Sequence, residues 1–565
     1  MKFLLSILIF CCSQIIFAQA EYPNLSRTSG REGFFRSPLD IPLVLSGSFG
    51  ELRTNHFHSG IDIKTNGEIG KRIYAVADGY ISRIKVSPVG YGNAIYITHP
   101  NGFTSVYGHL DRYAGEIADF VKKLQYEKES FEIEIYPDSQ QLRVKKGQVI
   151  AFSGNTGGSG GPHLHFEIRE TASEKPVNPL LFGFDIKDDI PPIVTQVAFY
   201  DLQNRREILK RYKLIKKSNT YYLSGADTVV LNTAAAGIGI GTYDLLNGAS
   251  NHNGIFTIKM ESEGRQIFQL DFEKFAFNES RSINALIEYP DRRLQRLFLL
   301  PGNRFSGYRN VVGSGILELT EKPQHITITV TDAYMNISKV SFYLKKGIAT
   351  ETSAERPGKK MDFDKPHTFE TQNYRIQIPA HAFYEQVYYD IQTLPGKGWG
   401  YSDVVKINGT DVPLHTPMEI AIKPLDLPDR LRENAVIVRQ ENGRKIFEGN
   451  IWENGFLKAK SSTFNGIYYI SADTIAPKIN PVNITQGSNL TRSSNIRVRI
   501  SDELSGIRSY RATIDNKWIL MEYDAKNNLL AYDFDKTIEP GEHLFVLLVT
   551  DNAGNQSIIQ VKFIR

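Results

Sequence analysis

The sequence predicts a mainly β protein, a row of antiparallel domains with one helical interruption, and three features of the chain lead there. Short runs alternate apolar and polar residues, among them Ile73–Ala77, Tyr80–Val86, Ala94–Thr98 and Val149–Phe152. A strand sends successive side chains to opposite faces, so this alternation marks half-buried strands. Gly and Pro punctuate the runs, as in Pro88-Val89-Gly90-Tyr91-Gly92 and Gly157-Gly158, where an antiparallel chain must turn. Finally, 565 residues exceed one ordinary domain and suggest about three or four.

Composition narrows the class. Hydrophobic residues make up 41% and aromatics 11%, ample for packed cores and against general disorder. The formal charge of +4 is small and no basic run stands out, so nothing marks a nucleic-acid surface. Met1-Lys2, the apolar stretch Phe3–Phe17 and Ala18-Gln19-Ala20 read as a signal peptide over residues 1–20. The apolar stretch is shorter than the ~20 residues of a spanning helix, and no later stretch is long and apolar enough to cross a bilayer. The expected product is exported to the periplasm or cell envelope. Both cysteines, Cys11 and Cys12, fall inside the signal, leaving neither disulfide nor thiolate metal site. Phe10 precedes Cys11, which does not suit lipidation.

A first domain is expected over 21–189. Within it, Ile117, Phe120, Val121 and Leu124 recur at helical spacing between Glu116 and Ser130. Phe131–Tyr136 and Leu142–Val144 follow around Pro137-Asp138-Ser139, so a helix and a hairpin form an insertion over about 111–145. Beyond Asp189 a weak repeat emerges. Asp189-Ile190-Pro191-Pro192-Ile193 resembles Asp473-Thr474-Ile475-Ala476-Pro477-Lys478-Ile479. Thr242–Gly248 parallels Ile500–Gly506, and Val330–Asn336 parallels Val549–Asn555. Such turn-punctuated strands predict immunoglobulin-like sandwiches over 190–346 and 474–565, with a β-rich middle domain over 347–473. Glycan binding, docking of an envelope partner and simple spacing are all open roles for them. Asp244, Asp332, Asp502 and Asp551 sit at turns, where aspartate ordinarily bonds its own backbone; calcium binding is the other reading.

Half of the twelve histidines lie between His56 and His165. In His163-Leu164-His165-Phe166-Glu167-Ile168-Arg169, alternation sends Leu164, Phe166 and Ile168 into a core and the two histidines, Glu167 and Arg169 to the opposite face. Glu167 sits further along, with solvent or a salt bridge as its expected fate. In His58-Ser59-Gly60-Ile61-Asp62-Ile63, His58 and Asp62 share a strand face, Gly60 leaves that face open and Ile61 and Ile63 pack behind. Zinc accepts nitrogen and oxygen donors at about 2.0–2.2 Å. With one imidazole of the 163/165 pair, which spacing does not choose, these make a two-histidine, one-carboxylate set whose fourth position takes water. A His-Glu-x-x-His helix is missing, so proton transfer falls to non-ligand histidines such as His109, at the end of Val106-Tyr107-Gly108-His109-Leu110. His56 is expected to line the rim, with ligation as the alternative, and His99 to satisfy a turn before Pro100. The small residues of Ser153–Pro162 let an extended substrate approach the backbone; Asn93, Gly157 and Ser159 are assigned to substrate contact.

Arg53–Asp62, Ala75–Gly79, Tyr91–His99, Val106–Leu110, Lys146–Ile150 and Gly161–Glu167 together, and in this order, resemble the lysostaphin/LytM-type zinc metallopeptidases. The resemblance covers most of 50–180. It implies a compact antiparallel β fold around a groove, one zinc ion and endopeptidase activity on the peptide stems of peptidoglycan. Position by position it makes His58, Asp62 and His165 the zinc ligands and His109 and His163 the catalytic histidines. All five are present, unlike in the family's inactive regulatory members. The Leu110–Lys145 insertion replaces a short loop of the family. The alternatives are a non-hydrolytic module that binds cell wall and activates a separate wall amidase, or a latent peptidase whose groove is covered by the insertion or a C-terminal domain.

Overall fold

A computed structural model describes residues 33–203, 207–348, 357–535 and 537–565. The expected signal peptide and its two cysteines lie outside them. The chain is mainly β. In the first domain the alternating runs pair as an antiparallel sheet in the order Leu45–Gly47, Ile61–Lys64, His163–Glu170, Phe103–Tyr113, Asn93–Thr98, Gly79–Val86 and Arg143–Val144. Val149–Ser153 pairs with both Arg72–Tyr74 and the end of Phe103–Tyr113. One face buries Ile61, Ile63, Ile95, Ile97, Tyr107, Leu164, Phe166 and Ile168 in a single core. The opposite faces carry Asp62 on Ile61–Lys64 and His163 and His165 on His163–Glu170.

The insertion holds the expected helix, Gly115–Lys128, with Ile117 and Val121 buried and Phe120 and Leu124 partly so. The expected hairpin is different. Ile133–Ile135 and Arg143–Val144 do not pair with each other; both add to the edge of Gly79–Val86, at Ile84–Val86 and Gly79–Tyr80 respectively. That edge offers unpaired backbone groups, and there Ile133 and Val144 join the core of Ile81, Ile84 and Val86. The helix also meets the last domain. Lys122 pairs with Asp535 at 3.1 Å, the Tyr126 ring meets Trp518 edge-on at 5.1 Å, and Arg511 pairs with Glu129 at 2.6 Å.

Three further large cores follow among the described residues. Thirteen strands between Ile193 and Lys346 form one continuous hydrogen-bonded sheet rather than two separate ones. The long strand Glu207–Lys217 causes this: it pairs with Ile193–Asp201 along part of its length and with Thr220–Leu223 beyond. Six- and five-stranded sheets lie between Lys359 and Ala472, and four- and five-stranded sheets between Lys478 and Ile564.

The sequence division near 189 does not divide the packing. Phe49 and Phe57, from the first domain, lie in the core of the second. Phe57 packs 4.6 Å from the Phe305 ring, Phe49 packs 5.0 Å from Phe275, and the Phe57 N–H donates to Ser280 Oγ at 2.9 Å. His58 therefore follows directly on a residue anchored in the neighbouring domain. Phe57→Ala is expected to destabilise this joint unit by about 3–5 kcal/mol, the usual cost of emptying a buried Phe site. Calorimetric melting of the full chain checks this; an unchanged profile contradicts it.

Candidate functional site

Strand register builds the centre. Asp62 lies directly opposite His165 across the Ile61–Lys64/His163–Glu170 pair, while Gly108 flanks His165 on its other side. Gly60 is required by crowding: a Cβ there would overlap the Phe166 carbonyl oxygen. The face is thus closely packed rather than open at this position. His58, Asp62 and His165, all buried, offer ligand atoms within 4.8 Å of one another. Asp62 Oδ1 stands 3.1 Å from His58 Nε2 and 2.9 Å from His165 Nδ1, and those two nitrogens are 3.1 Å apart. Donors bound at ~2.0–2.1 Å around one tetrahedral ion stand about 3.3 Å apart, so the set fits zinc in donor type and spacing.

Each ring is held from behind. His58 Nδ1 donates to the Ser48 carbonyl at 2.8 Å, which leaves Nε2 as the inward atom. His165 is reversed: Nε2 donates to Glu167 Oε1 at 2.8 Å, and Nδ1 faces Asp62. Asp62 Oδ2 accepts from Arg53 at 2.8 Å, so only Oδ1 turns inward. Glu167 is fully buried, which rules out the solvent alternative, and its salt bridge to Arg169 at 2.6 Å is one part of a larger network. Its Oε1 also accepts from Ser59 Oγ and Tyr91 Oη, both at 2.5 Å. Arg169 in turn lies 4.5 Å from the Phe277 ring, contributed by the second domain. Glu167, Arg169, Tyr91, Ser59 and Arg53 are the supporting residues that sequence reasoning missed. Period-two alternation puts Glu167 and Arg169 on the histidine face, but an acid and a base two apart read equally well as a wet surface.

His163 and His109 complete the ring of imidazoles. His163 Nε2 lies 3.4 Å from Asp62 Oδ1, while its Nδ1 donates to the Gly161 carbonyl at 2.8 Å. His109 Nδ1 donates to the Thr156 carbonyl at 2.8 Å, and its ring lies 4.8 Å from that of His163. His109 has a φ of +58°, a conformation that costs a non-glycine residue energy and recurs at functional sites. His56 is exposed and bonds the Thr54 carbonyl; buried His99 bridges the Asp78 carbonyl and Ser105. The three residues assigned to substrate contact have structural partners. Asn93 is buried with its amide on the Asp111 carbonyl, Gly157 packs against the Gly90–Gly92 loop, and Ser159 bonds the Gly161 carbonyl and His163 Nδ1.

The electrostatics differ from residue to residue at the centre. Burial alone would push Asp62 up, but the surrounding imidazoles reverse this and hold it well below the usual carboxylate range. Burial likewise opposes charge on His165, yet hydrogen bonds to Asp62 and Glu167 raise it to about 9. Burial, reinforced by His165 and His163, pushes His109 down to about 3.

Residues 56–126 and 135–179 match the model of Peptidase family M23, and residues 358–473 match that of a Zu5-like domain. The DD-carboxypeptidase/endopeptidase Mpg of Neisseria meningitidis serogroup B is 36% identical over 153 residues, 26% of this chain and 29% of Mpg. The peptidoglycan DD-endopeptidase ShyC of Vibrio cholerae is 27% identical over 35% of this chain and 41% of its own length. The murein hydrolase activator NlpD of Salmonella dublin is 35% identical over 28% of this chain and 34% of its own. The chain thus spans well under half of each relative. A β fold with a buried histidine–carboxylate centre defines the first domain as one of the M23 peptidase class. It is of the lysostaphin/LytM type, and β domains follow it.

Glu167→Ala leaves the Arg169 guanidinium and His165 Nε2 buried without their acceptor. The expected destabilisation is about 3–5 kcal/mol, as for other broken buried ion pairs. Chemical denaturation of the full chain measures it, and an unchanged midpoint contradicts the role given to Glu167.

Proposed function

We propose that this chain is a zinc-dependent endopeptidase that hydrolyses peptide cross-links of bacterial peptidoglycan, acting in the periplasm or cell envelope. The observation that carries the reading is the convergence of His58 Nε2, His165 Nδ1 and Asp62 Oδ1, each aimed inward by a partner behind it. These three would hold one zinc ion. Zinc there supplies Lewis-acid chemistry, polarising an amide carbonyl and acidifying water. His163 and His109 keep their Nδ1 protons on backbone carbonyls. The Nε2 of His163 is then placed to accept a proton and to hand it to the departing amine, while His109, held neutral by burial and its neighbours, can accept a hydrogen bond from the attacking water and orient it. Among the described residues no helix is long and apolar enough to cross a membrane.

The purified full chain is expected to carry about one zinc ion and to release muropeptides from peptidoglycan. Asp62→Ala and His165→Ala should lose both properties. His109→Ala and His163→Ala should keep the metal and lose about 10²–10⁴-fold in rate. Wild-type digestion by His165→Ala contradicts the reading; a zinc-free chain that only stimulates a separate wall amidase establishes the activator alternative.

A second reading, restraint of the peptidase by its last domain, is favoured by one contact. Lys526 reaches the Asn155 carbonyl, in the glycine-rich loop beside Thr156, which bonds His109. The Lys122–Asp535 pair is a further contact of the last domain with the peptidase domain, on the insertion helix. Asp535→Lys combined with Lys526→Ala should raise the hydrolysis rate of the full chain; an unchanged rate excludes restraint through these contacts.

A further inference from the structure

Away from the histidine centre, two acidic groups each bring three carboxylates within 4.8 Å: Asp188, Asp244 and Asp332, and Asp473, Asp502 and Asp551. They are built alike. Asp188 and Asp473 lie in the segments that lead into the 13-stranded unit and the last domain. Each accepts the backbone N–H two residues on, from Ile190 at 3.1 Å and Ile475 at 3.3 Å. Asp332 and Asp551 open turns that close on Asn336 and Asn555, whose side-chain amides bond them at 2.8 Å in both cases. The same two amides reach the Asp188 and Asp473 carbonyls, at 3.2 and 2.8 Å. Asp244 and Asp502 follow the strands Ala235–Tyr243 and Asn495–Ser501. This corrects the register of the sequence repeat: Asp188, not Asp189, is the counterpart of Asp473.

What the protein leaves unsatisfied points to a ligand. Asp244 is only 3% exposed, and its Oδ1 has no hydrogen-bond partner. Asn253, bridged to Asp244 across the sheet and 2% exposed, also has an unpartnered Oδ1. Asp188 Oδ2 and Asp502 Oδ1, on partly buried residues, also lack a partner, and so does Ser505 Oγ, only 4% exposed and next to the second group through its N–H on Asp473. Among the described residues, no Lys, Arg or His forms an ion pair with any of the six aspartates. Unpaired buried carboxylates are costly, and a protein keeps such groups where a cation compensates them. The donors are oxygens throughout, with no imidazole or thiolate. Calcium takes six to eight oxygen ligands in flexible geometry at ~2.3–2.6 Å, whereas zinc prefers nitrogen and sulfur.

We propose that Asp188, Asp244 and Asp332, with Asn253 beside them, bind one divalent cation of the calcium class, and that Asp473, Asp502 and Asp551 bind a second. Each ion ties an incoming segment to two turns of the domain that follows. The first braces the joint behind Phe184 and Ile186, which belong to the peptidase core. The second braces the domain that touches the insertion helix. Calcium would therefore set the mutual orientation of the domains, independently of the zinc centre.

Calcium binding to the full chain tests this, by equilibrium dialysis with radioactive calcium up to about 1 mM, the range of extracellular modules, and by calorimetric melting with zinc held constant. Wild type is expected to bind about two ions and to gain several degrees in Tm with calcium. Asp244→Asn and Asp502→Asn should each lose one ion and part of the gain. Without calcium they should melt no lower than wild type, because each removes a carboxylate crowded against two others; a purely structural carboxylate would instead lower Tm. No bound calcium with calcium-indifferent melting overturns the proposal, as does retention of both ions by the variants. One ion, lost only in Asp244→Asn, upholds the first site and overturns the second.

Discussion

The antiparallel register between Ile61–Lys64 and His163–Glu170 is the constraint on which the rest depends. It sets Asp62 opposite His165 and, on the other face, Ile63 opposite Leu164. A slip of one residue would turn the histidines into the core and the aliphatic residues into the groove. Ile61, Ile63, Leu164 and Phe166, fully buried beneath the centre, make that slip prohibitive. Apolar packing thus fixes the positions of the polar atoms above it: two inward nitrogens and a carboxylate oxygen about 3 Å apart.

Rear hydrogen bonds then decide which atom each ring presents. Ser48, Thr156 and Gly161 supply carbonyls, and Glu167 supplies the one carboxylate. A buried carboxylate behind a ring fixes its orientation and strengthens it as a ligand. Glu167 can fill that place because Arg169 lies beside it and is itself packed against Phe277 of the next domain. His58 has a similar dependence, hung between Phe57 in the second core and Ile61 in the first. The centre is therefore shared property of two packed units, although its polar residues come from one.

Much of this was legible in the sequence, for definable reasons. Alternation at Leu164, Phe166 and Ile168 gave the buried face, and the 117/121 spacing gave the helix, because both periods survive folding unchanged. The five clustered residues were legible only when the spaced motifs were taken together, since no pair of them is distinctive. Three things were hidden. Phe57 reads as an ordinary strand residue, and nothing local says that its core lies some 200 residues further along. Glu167 looks like a surface acid because its partners come from Ser59 and Tyr91, distant in sequence. The strands at 133–135 and 143–144 looked like a hairpin because turn residues separate them; the open edge of Gly79–Val86 competed for both.

The central claim is that His58, Asp62 and His165, and not His163 or His109, hold the metal. X-ray absorption at the zinc edge of the zinc-loaded full chain tests it most directly. Two imidazole nitrogens with oxygen ligands, all at about 2.0–2.1 Å, is the predicted first shell. A shell with three or more imidazoles, or with none, would contradict it.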